Sequence, residues 1–299
     1  MKVESAYTYL GDYAFSGCSS LTNVILPEGF SDVCLGNNVF GGCETLSPLY
    51  NSTTFFYMPN NGAESYNIPE GITTIAKSAF SESKSIKNLH LPSSITYFSS
   101  GAFASSNIEE LDLSDLEYVS LGAGVFTNSA IRNFISPQKI TNCPQNAFEN
   151  CKNLVELDLS GIRQIPGVTY FGNMGIGDGA FRGCENLTNV IMPVSVGRLD
   201  IGQEAFKNCI SLETIDLSPV GTFYMRAFEN CKKLKKIEIS DFGTSQIGTY
   251  IYNGAFSGCE SLDSLVIGSS GLQNFPMSAF EGCSSLKSVV ITVVPSDFS

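Results

Sequence analysis

A small residue followed by phenylalanine occurs eleven times along the chain, and in eight copies a cysteine follows three positions later. Ala14-Phe15 leads to Cys18, Val39-Phe40 to Cys43, Ala147-Phe148 to Cys151 and Ala180-Phe181 to Cys184. The same beat joins Phe206 to Cys209, Phe228 to Cys231, Phe256 to Cys259 and Phe280 to Cys283. Three consecutive copies, at Phe80, Phe103 and Phe126, carry serine in place of the cysteine. Self-similarity at a period of about 20–50 residues dictates a repeat architecture, because one unit cannot bury its apolar face alone and only stacking builds a core.

A second pattern, apolar-x-x-apolar-x-apolar, opens six residues after nine of the phenylalanines and five after Phe103 and Phe126. Leu154, Leu157 and Leu159 form one copy, and Leu234, Ile237 and Ile239 another. Its last two apolar positions alternate with polar ones, the period of a half-buried strand. The return from strand to the next phenylalanine varies in length. The segment from phenylalanine to strand is therefore expected to be the rigid part of each rung, and the return a surface loop.

These residues resemble the BspA-like (Treponema-type) leucine-rich repeats. The turn is clearest in Leu10-Gly11-Asp12-Tyr13-Ala14-Phe15 and Ile176-Gly177-Asp178-Gly179-Ala180-Phe181. Tyr66 to Ile75 resembles a variant rung that follows a tyrosine-rich strand. The resemblance implies a leucine-rich-repeat solenoid, a right-handed curved superhelix in one domain over 1–299. A parallel β-sheet would line its concave face, with short helical turns, loops and extended segments on the convex side. Eleven to twelve rungs are expected, stacked at roughly 4.8 Å each. The resemblance also implies an exported protein, because members include surface proteins and adhesins of bacteria and some protists.

Met1-Lys2-Val3-Glu4-Ser5 is not followed by an apolar signal core, and no run of eighteen apolar residues spans a membrane. The chain opens in mid-rung and closes on a strand, so it reads as a segment of a longer cell-surface or secreted protein whose signal or anchor lies elsewhere. Seventeen Lys and Arg against 29 Asp and Glu give a net charge of −12. That balance argues against nucleic acid and anionic membrane as partners; a monomer is expected.

Eight of the ten cysteines fall in one column of the solenoid. Adjacent rungs place their Cα atoms within disulfide reach, but the side chains of a ladder project in parallel. A small, buried, apolar role is the simpler reading. Cys34 and Cys143 stand outside the column and are the candidate reactive thiols, unless they too fill a rung interior. Without a C-x-x-C pair and with one histidine, zinc lacks ligands. That histidine, His90, takes an outward strand position rather than a cleft, so neither enzymatic activity nor a cofactor is expected.

The outward strand positions and the irregular loops remain for a partner. On the strands the candidate binding residues are His90, Glu109, Glu110, Asp112, Ile135, Glu156, Asp158, Ile191, Asp216 and Glu238. Glu109, Glu110, Asp112, Glu156 and Asp158 are expected to lie close in space. Outward Ile135 and Ile191 either mark an interaction site or simply suit a strand. In the loops the candidates are Tyr170, Phe171, Tyr250 and Tyr252, whereas Phe55 to Tyr57 are expected to pack on neighbouring rungs. The function expected is a surface binding or adhesion module engaging a protein or a glycan, with a ligand-free spacer or scaffold as the alternative.

Overall fold

The computed structural model describes residues 1–81, 83–140, 143–162, 175–193, 199–239, 249–268 and 275–292. Two compact units divide the chain, Met1–Ile140 and Thr141–Ser299. Both are parallel-sheet solenoids wound from the same element, a tight coil around each Ala-Phe pair.

The coil around Phe206 shows how that element is built. Ala205 N–H donates to Gly202 O (3.2 Å), Lys207 N–H to Glu204 O (3.1 Å) and Cys209 N–H to Phe206 O (3.0 Å). Each bond spans three residues, as in a β-turn. Two residues bounding the phenylalanine, Glu204 (φ 56°) and Asn208 (φ 62°), adopt the left-handed conformation. The same pair recurs as Gly179 and Gly183, and as Gly254 and Gly258. Glycine and asparagine collect there because other side chains resist positive φ. These left-handed residues also overturn the expected helical turns, since they interrupt any helical run. The one helical piece among the described residues is a 3-10 turn at Asp32–Cys34.

Stacking the coils aligns the phenylalanines. Phe206 N–H donates to Ala227 O of the next rung (2.7 Å), and its ring lies 5.0 Å from Phe181 and 4.9 Å from Phe228. The cysteine ties each rung to the one before it. Cys184 Sγ donates to Phe148 O (3.0 Å), Cys209 Sγ to Phe181 O (3.1 Å) and Cys231 Sγ to Phe206 O (3.1 Å). All ten cysteines are free thiols. The thiol is thus both core filler and donor, which goes beyond the apolar role read from sequence. Cys143 is buried and desolvation pushes its thiol well up, so of its two readings it is the one that fills a rung interior. Cys34 is half-buried and donates to Ala6 O at 3.2 Å.

At two of the three serine positions the shorter hydroxyl falls short. Ser83 and Ser106 are buried with their hydroxyls unpartnered. Restoring the thiol at Ser106→Cys is expected to raise the unfolding free energy by about 1 kcal/mol. Urea titration of both proteins measures it, and a fall in stability would refute this account of the column.

The strands of the first unit run β1 (Leu49–Tyr50), β2 (Thr54–Tyr57), β3 (Ser65–Asn67), β4 (Thr74–Ile75), β5 (Asn88–His90), β6 (Tyr97–Phe98), β7 (Glu110–Asp112), β8 (Ser120–Leu121) and β9 (Asn133–Ile135). They form two ladders, β3-β5-β7-β9 and β1-β2-β4-β6-β8. The first is the strand expected after each cysteine position. The second, made mostly of two-residue strands just before each Ala-Phe coil, was not anticipated. Its β1–β2 hairpin is antiparallel and every other strand pair in the unit is parallel. Phe55, Phe56 and Tyr57 are buried as expected, with Phe55 stacked on Phe80 at 5.2 Å. Before β1 strand pairing among the described residues is reduced to the bridges Lys2–Ile25 and Leu10–Leu35.

In the second unit the strands are β10 (Glu156–Asp158), β11 (Gly175–Ile176), β12 (Asn189–Ile191), β13 (Leu199–Ile201), β14 (Thr214–Ile215), β15 (Val220–Phe223), β16 (Lys236–Ile239), β17 (Tyr250–Ile251), β18 (Ser264–Gly268) and β19 (Ser288–Thr292). The short-strand ladder β11-β13-β15-β17 is continuous, whereas the long-strand ladder splits into β10-β12-β14 and β16-β18-β19. Regular strands account for about eight turns, fewer than the eleven to twelve expected from the motif. The motif continues into rungs held by isolated bridges, which add coils without adding strands.

Candidate functional site

The long-strand ladder alternates buried and exposed residues, so its outward positions form a face. In the first unit β5, β7 and β9 expose Asn88, His90, Glu110, Asp112, Asn133 and Ile135 around buried Leu89, Leu111 and Phe134. Glu110 lies opposite Asn133, whose amide donates to it at 3.0 Å, and Asp112 lies opposite Ile135. Hydrogen bonds from the Ser114 side chain and backbone hold the Asp112 carboxyl below its usual range; the backbone bond measures 2.9 Å. Strands β5 and β7 pair only at Asn88–Glu110, so no strand pairing joins His90 to Asp112.

In the second unit Glu156 lies opposite Asn189 and Asp158 opposite Ile191. Of the five carboxylates expected together, Glu109, Glu110 and Asp112 belong to the first unit and Glu156 and Asp158 to the second. Ile191 is 50% exposed. Beyond it β12 pairs with β14, after which the ladder stops, because β14 and β16 are not hydrogen-bonded neighbours. The Asp216 carboxylate accepts a bond from Ser218 N–H (2.9 Å), the same local turn that Asp112 makes with Ser114 and Asp158 with Ser160.

A groove of about 480 Å³ opens at this break, lined by Ile191, Thr214, Ile215, Asp216, Lys236 and Glu238, among others. Ile215 is half-buried there, whereas Val190 and Ile237 in the same column are buried. Lys236 pairs with Glu238 at 2.6 Å. Beside the groove Lys235 meets Glu213 at 2.7 Å, and that hydrogen bond and charge hold the Glu213 carboxyl low. The site is an apolar floor between carboxylates, three of whose residues (Ile191, Asp216 and Glu238) were read from sequence. Ile215 was missed because its place in the repeat is that of a core residue.

The aromatic candidates lie elsewhere. Tyr250 is on β17 and Tyr252 follows it, beside the short-strand ladder, with Tyr252 stacked on Tyr224 at 5.2 Å. Both are exposed. They belong to a different sheet from Ile191 and Glu238, so strands and loops do not build one site. Tyr170 and Phe171 lie outside the described residues.

Stacked Ala-Phe coils, paired strand ladders and an outward-facing polar and aliphatic column define a leucine-rich-repeat solenoid with a sheet face free for contact. The chain belongs to the BspA type leucine rich repeat family, whose model matches six copies over residues 1–62, 51–174 and 174–296. Among solved structures it is similar to a leucine-rich repeat protein from Eubacterium ventriosum (21% identity, TM-score 0.56, covering 86% of this chain and 64% of that one). It is also similar to a leucine-rich repeat protein from Bacteroides ovatus (21%, TM-score 0.51, 94% and 70%). A leucine rich cell surface protein from Faecalibacterium prausnitzii matches at 18% identity and TM-score 0.44, over 96% of this chain and 77% of that one. No curated protein matches the chain in sequence. No helix among the described residues is long and apolar enough to cross a membrane.

Proposed function

We propose that this chain is a non-enzymatic binding module of the cell surface or the secreted milieu, engaging a protein or glycan through the strand face of its second unit. The observation that carries this reading is the groove at the break between β14 and β16. There Ile191 and Ile215 lie partly open and share the lining with Asp216 and Glu238. Apolar groups rimmed by charge are the usual composition of a contact centre. Family membership supports a surface role, because BspA-like members include surface proteins and adhesins.

Ile191→Asp combined with Asp216→Lys is expected to weaken binding to immobilised extracellular proteins or glycans at least about tenfold, as loss of an interface centre does. Both side chains are exposed, so the melting temperature should hold within about 2 °C. Equal binding by wild type and variant across such a panel would favour a spacer with no ligand of its own.

A further inference from the structure

We propose that Tyr224 and Tyr252 form an oxidative crosslinking site, at which a haem peroxidase acting with hydrogen peroxide joins their rings into a dityrosine that staples two neighbouring rungs. The pair departs from the repeat. Four residues before the phenylalanine the other nine rungs carry only glycine, alanine, serine or proline, Gly177 and Gly202 among them. At Gly177 an added Cβ would stand 2.5 Å from Gln145 N, and at Gly202 2.6 Å from Asp178 N, so those rungs have no room for a side chain there. Yet two consecutive rungs place a large aromatic residue at this position, Tyr224 before Phe228 and Tyr252 before Phe256. Stacking alone would be served by phenylalanine, which fills the buried column throughout. Two phenols at the surface add a shared redox chemistry.

The fold sets the two phenols face to face. In the β15–β17 pair Phe223 lies opposite Ile251, and Tyr252 N–H donates to Phe223 O (2.9 Å). Each tyrosine then opens the turn into its coil, with Ala227 N–H on Tyr224 O and Ala255 N–H on Tyr252 O, both 3.2 Å. Their backbones are thus one rung apart and held alike, and the rings stack at 5.2 Å with 11° between their planes. Tyr252 is 45% exposed and Tyr224 half-buried. Described rungs flank the pair, β13 before it and residues 275–283 after it, so this exposure is not that of a chain end. Loss of one electron and one proton from each phenol leaves two tyrosyl radicals. Their ring carbons next to the oxygen join, and the hydrogen on each of those carbons returns to its oxygen, which restores both phenols. The two electrons and two protons removed reduce one hydrogen peroxide to two waters. A partner already in contact makes the coupling effectively unimolecular.

The full chain is treated with a haem peroxidase and hydrogen peroxide at about 2 µM, far below the millimolar effective concentration of linked groups, so that coupling within a chain outruns coupling between chains. The monomer should gain the blue fluorescence of dityrosine and lose two hydrogens in mass. Proteolysis should then release one peptide pair joined through residues 224 and 252. Tyr252→Phe keeps the stack but removes one phenol, and should cut the fluorescence at least about tenfold, as loss of an oriented partner does. Tyr250→Phe, two residues away, should leave it unchanged. The staple closes the segment 224–252 and should raise the melting temperature of the treated wild type by about 5 °C, a shift that treated Tyr252→Phe does not show. Absence of the 224–252 peptide overturns the proposal. So does an equal yield from the urea-unfolded chain, because proximity in the fold would then play no part. A crosslink that leaves the melting temperature unchanged refutes the staple.

Discussion

Phe206→Ala is expected to lower the unfolding free energy of the chain by about 3–5 kcal/mol, the largest effect of any single substitution in the column. Phe206 is fully buried, with a phenylalanine stacked on each side at 5.0 and 4.9 Å. Truncation leaves a cavity in the middle of a stack that cannot collapse, because neighbouring rungs are held apart by their backbone bonds. A solenoid spreads stability over nearest-neighbour interfaces, and this substitution weakens two of them. Typical domain stabilities are only about 5–15 kcal/mol, so the second unit should open at much lower urea. Phe15→Ala is the control: its ring is half-buried and stacks on Phe40 at 5.8 Å, so it should cost about half as much. Hydrogen exchange should localise the loss to the rungs flanking residue 206. Equal costs at both positions would contradict the stacked-column account.

A second large effect is expected at Glu204→Gln. Three cations converge on this carboxylate. Arg182 Nη1 lies at 2.8 Å, Lys207 Nζ at 3.3 Å and Arg226 Nη1 at 3.6 Å. Burial pushes the Glu204 carboxyl up, but hydrogen bonds and charge from Arg182 and Lys207 outweigh it and hold the group below the usual range. Arg182 moves the other way, raised by its hydrogen bonds to Glu149 and Glu204. A neutral amide would remove the one carboxylate that all three share, leaving Arg182 to Glu149, and Lys207 and Arg226 to Glu229. The cost of a broken buried pair, reduced here for solvent access, is about 2 kcal/mol. A carboxyl with a depressed folded pKa contributes stability that is complete above its unfolded value of about 4.3 and is lost as pH falls through the folded value. Wild type should therefore lose melting temperature below about pH 4.3 more steeply than Glu204→Gln, and the two curves should converge in acid. Parallel curves down to pH 2 would show that the carboxylate contributes nothing.

Much of this fold was legible in the sequence because the repeat is periodic. Phe15 to Phe280 and the apolar pairs such as Leu157 and Leu159 mark coil and long strand directly, since alternation with exposed Glu156 and Asp158 has no other reading. The short-strand ladder was hidden: Thr74–Ile75 or Tyr97–Phe98 is too short to show alternation, and its pairing is fixed by the coil that follows it. Double left-handed turns were equally hidden, because Glu204 and Arg226 occupy positions that glycine fills in other rungs. The outward residues were found, but not the groove that Ile191, Asp216 and Glu238 line. Ile215 follows the pattern of its neighbours, and nothing in Thr214-Ile215-Asp216-Leu217 signals that the ladder ends there. Tyr250 and Tyr252 were placed with the loops, and only strand pairing shows which ladder they join.

The thiol column has a consequence for the lifetime of the protein in an oxidising medium. From Cys184 to Cys259 each thiol is buried, and its acidity is suppressed by desolvation and, at Cys259, by its contact with Cys283. Since the thiolate is the species that oxidises, these four thiols are chemically silent while the rungs stay closed. Protection ends when a rung opens. An oxidant of the medium can then reach the released thiols, and a disulfide formed before the rung restacks would turn a reversible local opening into lasting damage. Disulfide formation is slow beside opening and closing, so endurance outside a reducing compartment is set by the small equilibrium fraction of rungs that stand open.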